Sequence, residues 1–177
     1  MLLRSMAISA LALATTAFAA APSSANDRDA RFFRQIEGKW RGPGEIVAGK
    51  YKGTKFTCEF NGLTPDDKLG MTLDGGCRVG VFTQKMNATV KRKGRSYVGH
   101  FLDGAEGEGL DVVAGAVSPS HVVLTLKRKQ LDGAMLARLA SDNQLNITVS
   151  VNVGKSLVPV IGMKLDRINS LAAETSD

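Results

Sequence analysis

From Leu145 to Val153 the chain alternates without a break: Leu145, Ile147, Val149, Val151 and Val153 fall on one face, and Asn146, Thr148, Ser150 and Asn152 on the other. A period of two sets one face on a core and the other in water, the pattern of an antiparallel strand. A helix would repeat at three and four instead. The remainder agrees in kind: after Ile36 helical spacing is scarce, and 19 glycines break the chain into short segments.

Those segments are Trp40 to Val47, Tyr51 to Phe60, Leu69 to Val79, Phe82 to Arg92, Ser96 to Leu102, Leu110 to Val117, His121 to Lys129, Leu145 to Val153 and Leu157 to Ile168. Turn sequences such as Thr64-Pro65-Asp66-Asp67, Lys93-Gly94, Asp103-Gly104 and Ser118-Pro119 separate them. Gly42 and Gly44 would let the first strand bend around a barrel corner. Ala134 to Ala140 stays open, because Met135, Leu136 and Leu139 fit either a helical turn or a strand. Asp27 starts one short helix with Phe32, Phe33 and Ile36 on its apolar face, and Gly38 stops it. The expected fold is all-β, an antiparallel up-and-down β-barrel of about 8–10 strands with a short N-terminal helix.

Residues 1–25 read as a secretory signal. Arg4 supplies the positive charge, Met6 to Phe18 a short apolar stretch, and Ala17-Phe18-Ala19 a small-x-small cleavage site, with cleavage after Ala19, Ala21 or Ala25 all satisfying the rule. The stretch is too short to span a bilayer, and no later segment reaches the ~20 apolar residues that a membrane helix needs. Residues 26–177 are then one exported domain, periplasmic or secreted. Removing Arg4 turns the formal charge of +6 into +5, a mildly basic balance that favours solubility and weak attraction to anionic envelope surfaces rather than nucleic acid. An oxidising compartment predicts a disulfide between the two cysteines, Cys58 and Cys77, which fall on neighbouring strands. Neither a C-x-x-C redox pair nor a four-ligand zinc pattern is present.

Gly38-Lys39-Trp40 at the first strand and Arg167 at the end of the last resemble the calycin superfamily, lipocalin-type barrels in which a Gly-x-Trp closes one end and an Arg packs on the indole. The resemblance implies that Trp40 and Arg167 close the barrel, with ~0.5–2 kcal/mol of cation–π attraction between them. The late Thr-Asp-Tyr-type lipocalin motif is absent from the sequence. Trp40 followed by Cys58 and Cys77 is also similar to the Inh-type periplasmic protease inhibitors, which act through an extended N-terminal trunk, and to uncharacterised exported alphaproteobacterial proteins. Ala20 to Asp29 would be the counterpart of that trunk.

Few residues of the chain point to chemistry. His100 and His121 both fall inside predicted strands, and no G-x-S-x-G elbow accompanies them. A haem barrel would need an inward proximal His, and the last strand, where barrels resembling nitrobindin keep it, reads Met163-Lys164-Leu165-Asp166-Arg167. The acidic, Gly-rich run Asp103 to Asp111 lacks EF-hand spacing and is a poor frame for paired catalytic acids. We therefore expect no catalytic residue, metal or cofactor. Lys91-Arg92-Lys93 with Arg95, and Lys127-Arg128-Lys129, lie at strand ends and would form one anion-binding patch if those ends share a rim.

The expected function is a non-enzymatic barrel that binds a small hydrophobic or amphipathic ligand, or an anionic envelope lipid, in its interior. Phe56, Phe60, Met71, Phe82, Met86 and Tyr97 are candidates to line that cavity. So are Phe101, Leu124, Leu126, Val149 and Val151, and each could equally be packed core. The alternative is a barrel that acts through its surface on a periplasmic protein, as a protease inhibitor or envelope-assembly partner; an enzyme is a third class.

Overall fold

The computed structural model describes residues 25–102, 110–129 and 131–168. The expected signal segment, 1–25, therefore lies outside the described residues except for Ala25, and most of the acidic run, 103–109, lies outside them as well. Helix α1 (Ala25–Ile36) precedes ten strands: β1 (Gly38–Ile46), β2 (Lys55–Leu63), β3 (Gly70–Val79), β4 (Phe82–Lys93), β5 (Ser96–Leu102), β6 (Leu110–Ser118), β7 (His121–Arg128), β8 (Leu131–Ser141), β9 (Gln144–Val153) and β10 (Ser156–Arg167). Each strand pairs with its sequence neighbours, and β10 pairs with β1, closing an antiparallel up-and-down barrel without a free edge.

The ambiguous Ala134 to Ala140 segment is part of β8. Pairing on both sides decides it: Met135 lies opposite Leu124 of β7 and Val149 of β9, and Ala137 opposite Val122 and Ile147. Tertiary pairing of this kind overrides a local pattern that suits either state. Cys58 and Cys77 face each other directly across β2 and β3, with Cα atoms 4.0 Å apart, and are joined by a disulfide. A closed loop of this size contributes ~3 kcal/mol by restricting the unfolded chain.

Because the strands alternate in direction, the two barrel ends differ. The odd-numbered strands start at the end where α1 delivers the chain into β1. There α1 acts as a plug. Phe32, Phe33 and Ile36 recur at helical spacing, are buried, and meet the barrel interior; the Phe33 and Tyr97 rings lie 5.4 Å apart. Asp29 shares that stripe one turn earlier and is only 4% exposed. Its carboxylate accepts hydrogen bonds from the Tyr97 hydroxyl (2.8 Å), Arg92 Nη1 (2.9 Å) and Arg28 Nη2 (3.2 Å), so the buried charge is paired from both β4 and β5.

Trp40 and Arg167 are partners in register on β1 and β10. The indole is 1% exposed, donates from Nε1 to the Ile36 carbonyl at 2.9 Å, and carries the Arg167 guanidinium 4.2 Å from its ring centre. Arg167 also donates to the carbonyls of Gln35 (2.5 Å), Glu37 (2.6 Å) and Asp142 (3.0 Å). A helix ends with unpaired carbonyls and a partial negative charge, and this guanidinium meets both requirements. Gly38 makes the corner between α1 and β1 at φ +103°, a conformation that side chains resist, and a Cβ there would crowd Arg167 Nη1.

Candidate functional site

The opposite end has no plug among the described residues. It carries the β1–β2, β3–β4, β5–β6, β7–β8 and β9–β10 connections. Strand register shows which side chains point inward here: Phe56 on β2, Met86 on β4, Phe101 on β5, Met135 on β8, Val149 and Val151 on β9, and Met163 on β10. All are half-buried, whereas Phe60, Tyr97, Val117, Val122, Leu145 and Leu165 toward the plug are fully buried. Burial does not divide the barrel sharply, since Val112 and Leu126 near the open end are buried and Leu139 near the plug is half-buried; the half-buried lining away from α1 packs against the core, is apolar and contains three methionines. Methionine's unbranched, polarisable side chain adapts to ligands of varied shape. The Phe56 ring and Met163 pack directly over Gly44, where a Cβ would overlap both.

Of the residues proposed for the lining, the structure brings Phe56, Met86, Phe101, Val149 and Val151 to this upper interior. Phe60, Met71, Tyr97, Leu124 and Leu126 are buried core instead. Tyr97 sits under α1, where burial and then the hydrogen bond to Asp29 push its phenol above the usual range. Phe82 is a correction of another kind. It has the inward parity of its strand but lies at the first position of β4, beside the Gly80-Val81 turn, so no wall rises past it and it is 79% exposed.

The two basic clusters do not share a rim. Lys91, Arg92, Lys93 and Arg95 lie at the plugged end, and Lys127, Arg128 and Lys129 at the open one. The reason is parity: β4 and β7 are an even and an odd strand, so their C-terminal ends point in opposite directions. Arg92 is moreover committed to Asp29. His100 and His121 both have outward parity; His100 Nδ1 meets Asp111 Oδ1 at 2.9 Å on the outer face, and His121 Nδ1 is buried without a hydrogen-bond partner among the described residues.

A depression of about 520 Å³ lies outside the wall over β1–β4. Lys39, Arg41, Arg78 and Lys85 line it together with Glu59 and Asp74, above a floor at Gly75 and Gly76. Outward alternation marks this face as solvated and carries no depth, so the hollow beside Gly76 leaves no signal in the sequence.

The fold is similar to that of Rv2717c from M. tuberculosis, with a TM-score of 0.55 and 13% identity over 80% of this chain and 98% of that one. At this identity the likeness is one of fold. No protein-family model matches the chain. No curated protein matches it either.

Proposed function

We propose that the chain is an exported, non-enzymatic barrel of calycin-like type that binds one small apolar or amphipathic ligand, such as an envelope lipid, in the open half of its interior. The observation that carries this reading is the apolar lining away from α1: inward Phe56, Met86, Met135, Val149 and Met163 are only partly buried, while α1 covers the other end with a hydrogen-bonded plug. The signal-like sequence at residues 1–25 and the Cys58–Cys77 bridge support export.

Titration with a hydrophobic fluorophore tests the proposal. Enhancement should saturate at about one site per chain, and Val149→Glu should abolish it by placing an unpaired charge in the apolar cup. The far-UV spectrum of that variant must stay native for the loss to count. An undiminished signal in a folded Val149→Glu chain contradicts the reading.

The surface-acting alternative draws its support from the outer groove over β1–β4. It draws none from an N-terminal trunk: the described part of Ala20 to Asp29 is helical, and Asp29 is built into the plug. Deleting that segment would therefore disturb the fold itself.

A further inference from the structure

Nine of the twelve large apolar side chains exposed among the described residues lie at the open end, the others being Leu63, Val113 and Val123. They are concentrated on hairpin tips. Val81 is 88% exposed, Phe82 79%, Tyr51 62% and Val153 60%, with Val47, Val79, Leu131 and Leu157 beside them. Turn tips ordinarily carry residues that favour water or tight backbone geometry, which Val81 and Phe82 do not.

Their chemical surroundings are equally one-sided. In the closed strand order the β7–β8, β9–β10, β1–β2 and β3–β4 hairpins follow one another, so they form a continuous arc of the rim. Exposed Lys129, Lys155, Lys50, Lys52 and Arg78 stand along this arc among the apolar tips. The tip sequences 47–54, 78–83 and 153–157 contain no acidic residue. The acids that border the arc stand beside bases: Asp132 pairs with Lys127 at 3.3 Å, and Lys55 is the register neighbour of Glu45. Asp103, Glu106 and Glu108 fall between β5 and β6 in the sequence, outside the described residues. The plugged end is also rich in bases, but Leu63 is its lone large exposed apolar side chain among the described residues.

We infer that this arc of the open rim docks on an anionic lipid surface, with the Val81-Phe82, Tyr51 and Val153 tips entering the headgroup boundary and the intervening lysines meeting lipid phosphates. Apolar tips flanked by bases are the arrangement such a surface selects, since apolar burial and electrostatic attraction then add. A second copy of the chain fits poorly, because face-to-face pairing would set lysine against lysine and leave the charge uncompensated. The inference extends the binding reading, as a mouth seated on lipid takes an amphipathic ligand directly from its source. It does not depend on that reading.

Co-sedimentation with vesicles decides it. The exported chain should bind vesicles of phosphatidylglycerol and phosphatidylcholine, bind pure phosphatidylcholine vesicles at least tenfold more weakly, and lose affinity as salt rises. Each surface lysine contributes about fivefold to partitioning onto an anionic membrane, so Lys50→Glu with Lys52→Glu should weaken binding by well over tenfold. Val81→Asp should also weaken it, whereas Lys93→Glu with Arg95→Glu at the plugged end should change it about twofold or less. All these sites are exposed, and native far-UV spectra will show that the variants fold. A tryptophan placed by Phe82→Trp should shift to the blue with anionic vesicles. Equal binding to both vesicle types, equal sensitivity at the two ends, or a lipid-independent dimer in sedimentation velocity would overturn the inference. Loss of vesicle binding in Val81→Asp with fluorophore binding intact would separate docking from the interior site.

Discussion

Trp40→Ala should lower the unfolding free energy by about 3–5 kcal/mol, a large share of the stability of a domain this size. Three losses combine at one place. The indole fills the space between β1, β10 and the end of α1 and is almost wholly buried, so its removal leaves a cavity among fixed neighbours. Its Nε1 bond to the Ile36 carbonyl disappears, and so does the face on which the Arg167 guanidinium rests. Arg167→Leu should cost less, about 1–3 kcal/mol, because its main consequence is unpaired carbonyls at the helix end, part of which water can reach. Urea unfolding of both variants tests this ranking. A Trp40→Ala chain within 1 kcal/mol of wild type would show that the ring is not the closure of the barrel.

Asp29→Ala should cost about 3 kcal/mol or more, the range expected when one partner of a buried charged network is removed and the other remains. Arg92 would keep its bond to the Gly94 carbonyl, but the Tyr97 hydroxyl would lose its acceptor inside the plug. A double-mutant cycle with Tyr97→Phe should give a coupling of about 0.5–3 kcal/mol, and strict additivity would contradict the network. The same contact predicts an alkaline signature. Burial first, and the Asp29 hydrogen bond second, raise the folded-state pKa of Tyr97. The unfolded phenol therefore releases its proton first, near its ordinary value of about 10. The contribution of Tyr97 is complete below that pH and declines above it by about 1.4 kcal/mol per pH unit for one proton. Tyr97→Phe should remove that slope relative to wild type.

Much of the barrel was legible in the sequence, because strand alternation is a local signal. The period of two in Leu145 to Val153 reappears as β9, and the hairpin placement of Cys58 and Cys77 reappears as a cross-strand bridge. Even the failure of the single basic patch was legible: counting strands from Trp40 makes the segment ending at Arg92 the fourth and that ending at Lys129 the seventh. Asp29 left a signal too. It precedes Phe32, Phe33 and Ile36 by three, four and seven residues, so it belongs to the apolar stripe, and an acid there demands a buried partner. That partner could not be named, since Arg92 and Tyr97 lie more than sixty residues away and arrive only through barrel closure.

The depth of the interior was not legible. Inward parity is the same for Phe60, Phe56 and Phe82, yet one is core, one half-buried and one a nearly bare tip. What separates them is height along the barrel axis relative to α1, which depends on how the plug seats and where each hairpin ends. Alternation records the side of a wall and carries no information about height.

The central claim is that the open half of the barrel interior is a ligand site, and methyl-resolved NMR during titration with a single-chain amphiphile tests it most directly. The account predicts saturable shifts of the Met86, Met135, Val149 and Met163 methyls, with Leu145 and Leu165 beneath the plug unchanged. Shifts confined to residues around the outer groove over β1–β4, or no saturable shift of the interior methyls, would contradict it.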